Sequence, residues 1–235
     1  MATTKQTTRG RKTTGRRGTR GRRPAASQGK AEPDMEQVQE LLLQALETEL
    51  GGVQVYTTAV ECATNKALAQ EWSKYLEQTR HHVEVVQRLC EGFGVDQDQE
   101  STGRGIVRTL GQTLVQAMQE AQQDGDADLA QVVAAECVTL AEVKDHQNWT
   151  LLGEIADNIS DTEKAGLLKE AVDEVEDEED EHLYHTMGWA RELWLDGLGL
   201  PALLPPPEER KDVKSAVQAA RAKSSRKKML AARNR

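Results

Sequence analysis

The chain has 235 residues and carries 30 Lys plus Arg against 39 Asp plus Glu, a formal net charge of −9. That charge is segregated: residues 1–32 are net +9, residues 207–235 are net +7, and residues 33–206 between them are net −25. No stretch approaches the roughly 18 apolar residues needed to cross a bilayer, the basic start lacks the apolar core of a secretory signal, and four Trp, three Tyr and one Phe are too few for a large sandwich or barrel; a cytoplasmic protein with one helical core is expected.

Residues 1–32 alternate Thr, Gly, Arg and Lys with no apolar periodicity, which predicts a disordered basic tail. Its start, Ala2 with Thr4-Lys5-Gln6-Thr7 and Arg9, is similar over these few residues to a core-histone tail, as any basic, flexible arm tends to be. From Pro33 onward apolar residues recur at helical spacing. A first long helix is predicted over 34–64, with Leu42, Leu46, Val53, Tyr56 and Val60 on one stripe, and a second over 66–91, with Leu68, Trp72, Tyr75, Val86 and Leu89. Gly92 and Gly94 stop it. After a polar loop, a shorter helix over 104–123 carries Val107, Leu110, Leu114 and Met118 and ends in Asp124-Gly125-Asp126.

A third long helix is expected over 127–158, closed by Ser160-Asp161. The fourth starts with Asp161 or Thr162 as its N-cap, carries Leu168, Val172, Val175, Trp189 and Leu193, and ends at Gly197, Gly199 and Pro201. Residues 201–209 read as a Pro-rich linker, and 210–235 as a Lys-, Arg- and Ala-rich segment that turns helical on binding a partner. The fold class is therefore all-α: an antiparallel four-helix bundle over 33–200, with an extra helix inside the long crossover between the second and third long helices. Cys62, Cys90 and Cys137 fall inside apolar helical patterns and read as reduced core residues.

Several stripe positions carry groups that are costly to bury. Glu49 sits between Leu46 and Val53, His82 between Tyr75 and Val86, and Glu179 and His182 between Val175 and Trp189. A buried unpaired carboxylate costs several kcal/mol, so these residues need partners, and metal ions supply them. Glu179 and His182 form a Glu-x-x-His pair that points two ligands to one side of a helix, and carboxylates with imidazoles suit iron or manganese. The third long helix adds Glu142 and Asp145 at the same spacing, with His146 adjacent and Glu136 further up. Against this stands the acidic run 173–181, most of which is a solvated face with only Glu179 on the stripe. His81 and His185 read as surface or supporting residues, Trp149 and Trp189 as core packing, and Tyr56 as packing or as support for Glu49.

Glu49-Leu50-Gly51-Gly52-Val53-Gln54-Val55-Tyr56 and Glu178-Glu179-Asp180-Glu181-His182 resemble the ligand-bearing stretches of the ferritin-like superfamily, which includes bacterioferritins and rubrerythrins. The helix before the third long one, followed by Asp-Leu-Ala and Glu142-x-x-Asp145, also looks like a bacterial stress-associated ferritin-like family. The resemblance covers roughly residues 35 to 200 and neither tail. It implies Glu49 and His182 as terminal iron ligands and Glu179 as a bridge, with His82 and Glu142 completing the set. The departure is Thr79, where the family pattern places a bridging Glu; Glu77 faces elsewhere, Gln78 is not anionic, and Asp145 is the candidate replacement. Such a set is compatible with two metals held loosely, one held well, or none.

Two functions follow as expectations. One is a ferritin-like protein that binds iron or manganese, with the ferroxidase or peroxidase-like activity and stress protection that the resemblance implies, in a homo-oligomer. The other is a nucleic-acid-associated or scaffolding protein that works through the basic segments 1–32 and 210–235, contacting phosphates without reading sequence. No nucleotide-binding glycine loop, nucleophile elbow or Cys-x-x-Cys pair is present. The tails hold few apolar residues for insertion into a membrane.

Overall fold

The structure, a computed structural model, describes residues 32–233. The basic tail expected over 1–32 thus lies outside the described residues, apart from Glu32, whose carboxylate accepts the Ser160 N–H at 3.0 Å. All regular structure among the described residues is helical: α1 (Met35–Cys62), α2 (Lys66–Phe93), α3 (Thr102–Gln123), α4 (Ala127–Asn158), α5 (Thr162–Gly197), a 3₁₀ turn (Glu209–Lys211) and α6 (Ala216–Arg233). Among the described residues, no helix is long and apolar enough to cross a membrane.

Each of the first five helices starts where a short polar side chain takes up orphan backbone N–H groups. Asp34, Asn65, Ser101, Asp126 and Asp161 are these caps, and all accept from backbone amides in the first turn. The α2 C-terminus is closed by Gly94 at φ 68°, a left-handed conformation that a side chain would strain. The turn between α1 and α2 is fixed from a distance: the buried Gln131 of α4 accepts the Thr64 and Asn65 N–H groups at 3.0 and 2.6 Å.

Pair contacts define how the helices run. Along α2 and α5, Glu71 meets His185, Lys74 meets Glu181 and Arg88 meets Glu174, so rising numbers on one face falling numbers on the other. The same holds for α4 and α5, through Glu136–Trp194, His146–Asp180 and Asp157–Lys169. It holds again for α1 and α4, through Glu49–Trp149 and Thr64–Gln131. α3 packs on α1 and α4. Arg104 and Arg108 of α3 clasp the buried Glu47 of α1 at 2.8 to 2.9 Å, which holds that carboxyl below its ordinary value despite burial.

The apolar core comes in two parts. One gathers Leu42, Leu46, Val86, Leu89, Leu152 and Leu168; the other gathers Tyr56, Leu68, Trp72, Tyr75, Val138 and Trp189. Both draw on α1, α2, α4 and α5, and on every one of these helices the polar stripe positions fall between the two parts. The three cysteines are free and buried, and burial pushes each thiol up to about 11, so they are inert packing groups.

The segment after α5 differs from the open linker that its prolines suggest. Leu203 and Val213 are buried. Leu203 N–H donates to the fully buried Glu192 at 2.9 Å, Arg191 grips Glu208 with two bonds of 2.9 and 2.7 Å, and Val213 N–H donates to His185 at 3.1 Å. α6 is held the same way, since Arg226 reaches Glu192 at 2.7 and 2.9 Å. The cause is electrostatic: a carboxylate with no exposure needs cations and N–H donors, and the following segment supplies them. The segment 201–233 is a strap on α5, and its last part is helical over Ala216–Arg233.

Leu152 is wholly buried, whereas Leu140 on the same helix is 62% exposed. Leu152→Ala is expected to lower the unfolding free energy by about 2–5 kcal/mol, and Leu140→Ala by less than about 0.5 kcal/mol. Chemical denaturation followed by circular dichroism measures both.

Candidate metal centre

The polar positions that interrupt the stripes meet in one layer. Glu49 of α1, His82 of α2, Glu142 and Asp145 of α4, and Glu179 and His182 of α5 are all buried, none more than 7% exposed. The heptad-like spacing of each helix brings these side chains inward, and antiparallel packing brings mid-helix positions to one level.

Both imidazoles are oriented from outside the cluster. His82 Nε2 lies 2.9 Å from Glu178 Oε2, which leaves Nδ1 facing Glu179 Oε1 at 2.8 Å and Glu49 Oε2 at 3.9 Å. His182 Nε2 lies 3.1 Å from Gln78 Oε1, and its Nδ1 faces Glu142 Oε2 at 3.7 Å and Glu179 Oε1 at 3.9 Å. An acceptor on Nε2 keeps the proton there and turns the Nδ1 lone pair toward the carboxyl groups, the arrangement metal-binding histidines use. The two rings stack with centroids 5.6 Å apart.

Ligand-type atoms of His82, Glu179 and His182 lie within 4.8 Å of one another, and so do those of Glu49, Asp145 and Glu179. Glu179 belongs to both groups, and Glu142 joins through His182. All six residues singled out from the sequence are therefore neighbours. Four of them hold a buried carboxyl oxygen without a hydrogen-bond partner, Glu49 Oε2, Glu142 Oε2, Asp145 Oδ1 and Glu179 Oε2, and His82 Nδ1 has only the Glu179 carboxyl group, at 2.8 Å. Buried polar atoms are nearly always satisfied, so four unpartnered carboxyl oxygens in one layer are an arrangement that a group accepting lone pairs would satisfy. The donor set fits a divalent cation.

Proton affinity tells the same story. Burial, then the charges of Asp145 and Glu179, pushes Glu49 well above its ordinary value; burial, then Glu179 and Asp145, does so for Glu142; burial, then Glu179, does so for Asp145. Glu179 is pushed up to about 8, by burial first and then by Glu178 and Asp180. Burial, with His82, Lys74 and His185 nearby, pushes His182 well below its ordinary range. Without a cation, the layer is kept tolerable by protons on its carboxyl groups.

Thr79 contributes no ligand. It is buried, and its methyl group packs so close to Gly52 that a Cβ there would sit 3.1 Å from it. No carboxyl group of α2 belongs to either ligand-type group, whereas Asp145 of α4 belongs to one. Two supporting residues escape the sequence reading: Glu178, grouped there with the solvated run, and Gln78, set aside as non-anionic, are the acceptors that orient the two histidines. Their signal is weak, since each lies one residue from a stripe position. Trp149 does more than pack, because its Nε1 donates to Glu49 Oε1 at 3.0 Å. Tyr56 is buried with its ring edge toward His182, 5.8 Å between centroids.

His185 is buried rather than superficial, and it belongs to a separate cluster. Its Nδ1 lies 2.8 Å from Glu71 Oε1 and 3.1 Å from the Tyr75 hydroxyl, and Trp189 Nε1 donates to Glu71 Oε2 at 2.9 Å. His81 is exposed and pairs with Glu174 at 2.7 Å. Glu136 accepts from Trp194 at 2.8 Å, away from the layer. Comparison with protein families, curated proteins and solved structures finds no match to this chain.

The raised carboxyl groups bind more protons folded than unfolded, so stability falls as pH rises through that window, which for Glu179 runs from 4.5 to about 8. His182 acts in the opposite sense, but only below 6.5, its unfolded value. The melting temperature of chelator-treated protein is therefore expected to drop between about pH 6.5 and 8.5. A bound divalent cation should flatten that drop and release protons on binding. Thermal melts across pH, with calorimetric titrations in buffers of different ionisation enthalpy, check both.

Proposed function

We propose that residues 33–200 form a ferritin-like antiparallel four-helix bundle, with α1, α2, α4 and α5 as its helices and α3 in the crossover, and that its central layer binds iron. Oxidation of Fe(II), in a protective role under oxidative stress, is the activity proposed for it. The observation that carries this reading is the set of four unpartnered buried carboxyl oxygens around two externally oriented imidazoles. Glu179, common to both ligand groups, is the residue suited to lie between two cations, with Glu49 and Asp145 on one side and His82 and His182 on the other. Iron held there would supply one-electron chemistry toward oxygen or peroxide, and manganese is the other metal such donors suit.

The chain's own residues have definable tasks. Glu178 and Gln78 hold the Nδ1 lone pairs of His82 and His182 inward. Trp149 fixes one Glu49 oxygen and leaves the other available. Apolar packing on both sides buries the layer, which lowers the local dielectric and strengthens charge interactions inside it.

A second reading, contact with nucleic acid, draws on one observation: α6 leaves Arg221, Lys223, Lys227 and Lys228 exposed while Arg226 is committed to Glu192. These bases, with those in residues 1–32, would neutralise phosphates without reading sequence. The acidic body would take no part.

Elemental analysis after anaerobic Fe(II) loading and gel filtration tests the first reading. Bound iron is expected in the unsubstituted chain and its loss in the variant carrying both Glu179→Ala and His182→Ala, with helicity retained; iron absent from both, or equal in both, refutes the ligand assignment. For the second reading, Lys223→Gln, Lys227→Gln and Lys228→Gln together should weaken DNA retention and flatten its salt dependence.

A further inference from the structure

Among the described residues, a cavity open to solvent reaches the buried layer. A cavity of about 400 Å³ lies between α4 and α5, and Glu179 is among its lining residues. Glu179 is only 2% exposed, and its Oε2 has no partner. Trp149, which donates to Glu49, forms part of the same wall. The cavity therefore ends on residues of the metal layer.

Toward solvent the lining is acidic. Glu154, Asp173 and Glu176 are exposed there, and no cationic side chain among the described residues stands within ion-pair distance of them. Lys169, the lining lysine, is engaged with Asp157 at 3.3 Å. Gly153 stands in the wall of the passage: a Cβ built there would meet Val172 Cγ1 at 3.9 Å, an ordinary contact that leaves the passage open, whereas a larger group would reach into it.

On the basis of the proposed metal site, we infer that the α4/α5 cleft is the inlet through which a hydrated divalent cation reaches the buried layer, with Glu154, Asp173 and Glu176 drawing it in and Glu179 receiving it. A funnel of one charge sign with low-dielectric walls concentrates counter-ions and raises association rates by about 10- to 1,000-fold. The carboxylates at the mouth replace water around the cation step by step, so it need not shed its shell in one event. Gly153 keeps the cross-section open, and Val172 and Ala156 leave the cation no competing resting place along the apolar wall.

Stopped-flow uptake of Co(II) by the metal-free full chain, followed by its visible absorbance, tests the inlet separately from the site. Glu154→Gln, Asp173→Asn and Glu176→Gln together should slow uptake by about tenfold, with final occupancy unchanged and a weaker dependence of rate on salt. Gly153→Leu should slow it at least as much, and Gly153→Ala, whose added methyl fits, should not. Uptake at the unsubstituted rate in both the neutralised and the Leu variants overturns the inlet while leaving the site intact. Lowered final occupancy with unchanged rate also overturns it, since the residues would then belong to the site. No Co(II) uptake by the unsubstituted chain removes the site reading and the inlet with it.

Discussion

The interior of this protein is organised by one electrostatic constraint: four carboxyl groups share a buried layer with two imidazoles that cannot neutralise them all. Each such carboxylate costs several kcal/mol to bury unpaired. The apolar residues above and below the layer hold the four contributing helices in register regardless of that cost. Register is what places six side chains, from residues 49 to 182, within contact of one another. The strain of the arrangement is not in the backbone but in proton affinities, which rise until protons or cations occupy the layer.

Much of this was legible in the chain itself, for reasons that can be named. The five helical segments are delimited by apolar periodicity and by breaks such as Gly92, Gly94 and Asp124-Gly125-Asp126, and the structure has them within two residues of the expected boundaries, with α1 at 35–62 and α3 at 102–123. The six candidate ligands stand out because a charged residue on an apolar stripe is conspicuous. Residues flanking the stripe are not: Glu178 and Gln78 look solvated by periodicity, and only the packing of α2 against α5 turns them toward the histidines. Periodicity gives the face of a helix and says nothing of which neighbour a long side chain will reach.

The C-terminal strap was illegible for a related reason. Prolines and basic residues signal an open linker and a loose tail, and the signal to the contrary is a single acid, Glu192, on a different helix. Its complete burial is explained only once Arg191, Arg226 and the Leu203 N–H are all in view. The Glu71 cluster has the same character. Tyr75 and Trp189 read individually as core aromatic positions and His185 as a surface or supporting residue, yet together they saturate one carboxylate and anchor Val213 of the strap through His185. In this chain, buried acids on α2 and α5 recruit distant segments.

The position of the polar layer has a consequence for how the molecule breathes. Most compact domains loosen from their termini inward, because contact density is lowest there. Here two apolar clusters flank a buried zone in which four carboxyl oxygens have no hydrogen-bond partner. On the proposed reading, solvent-admitting fluctuations of the cation-free chain would begin at that waist as well as at the ends, and a cation filling it would tie the two clusters together.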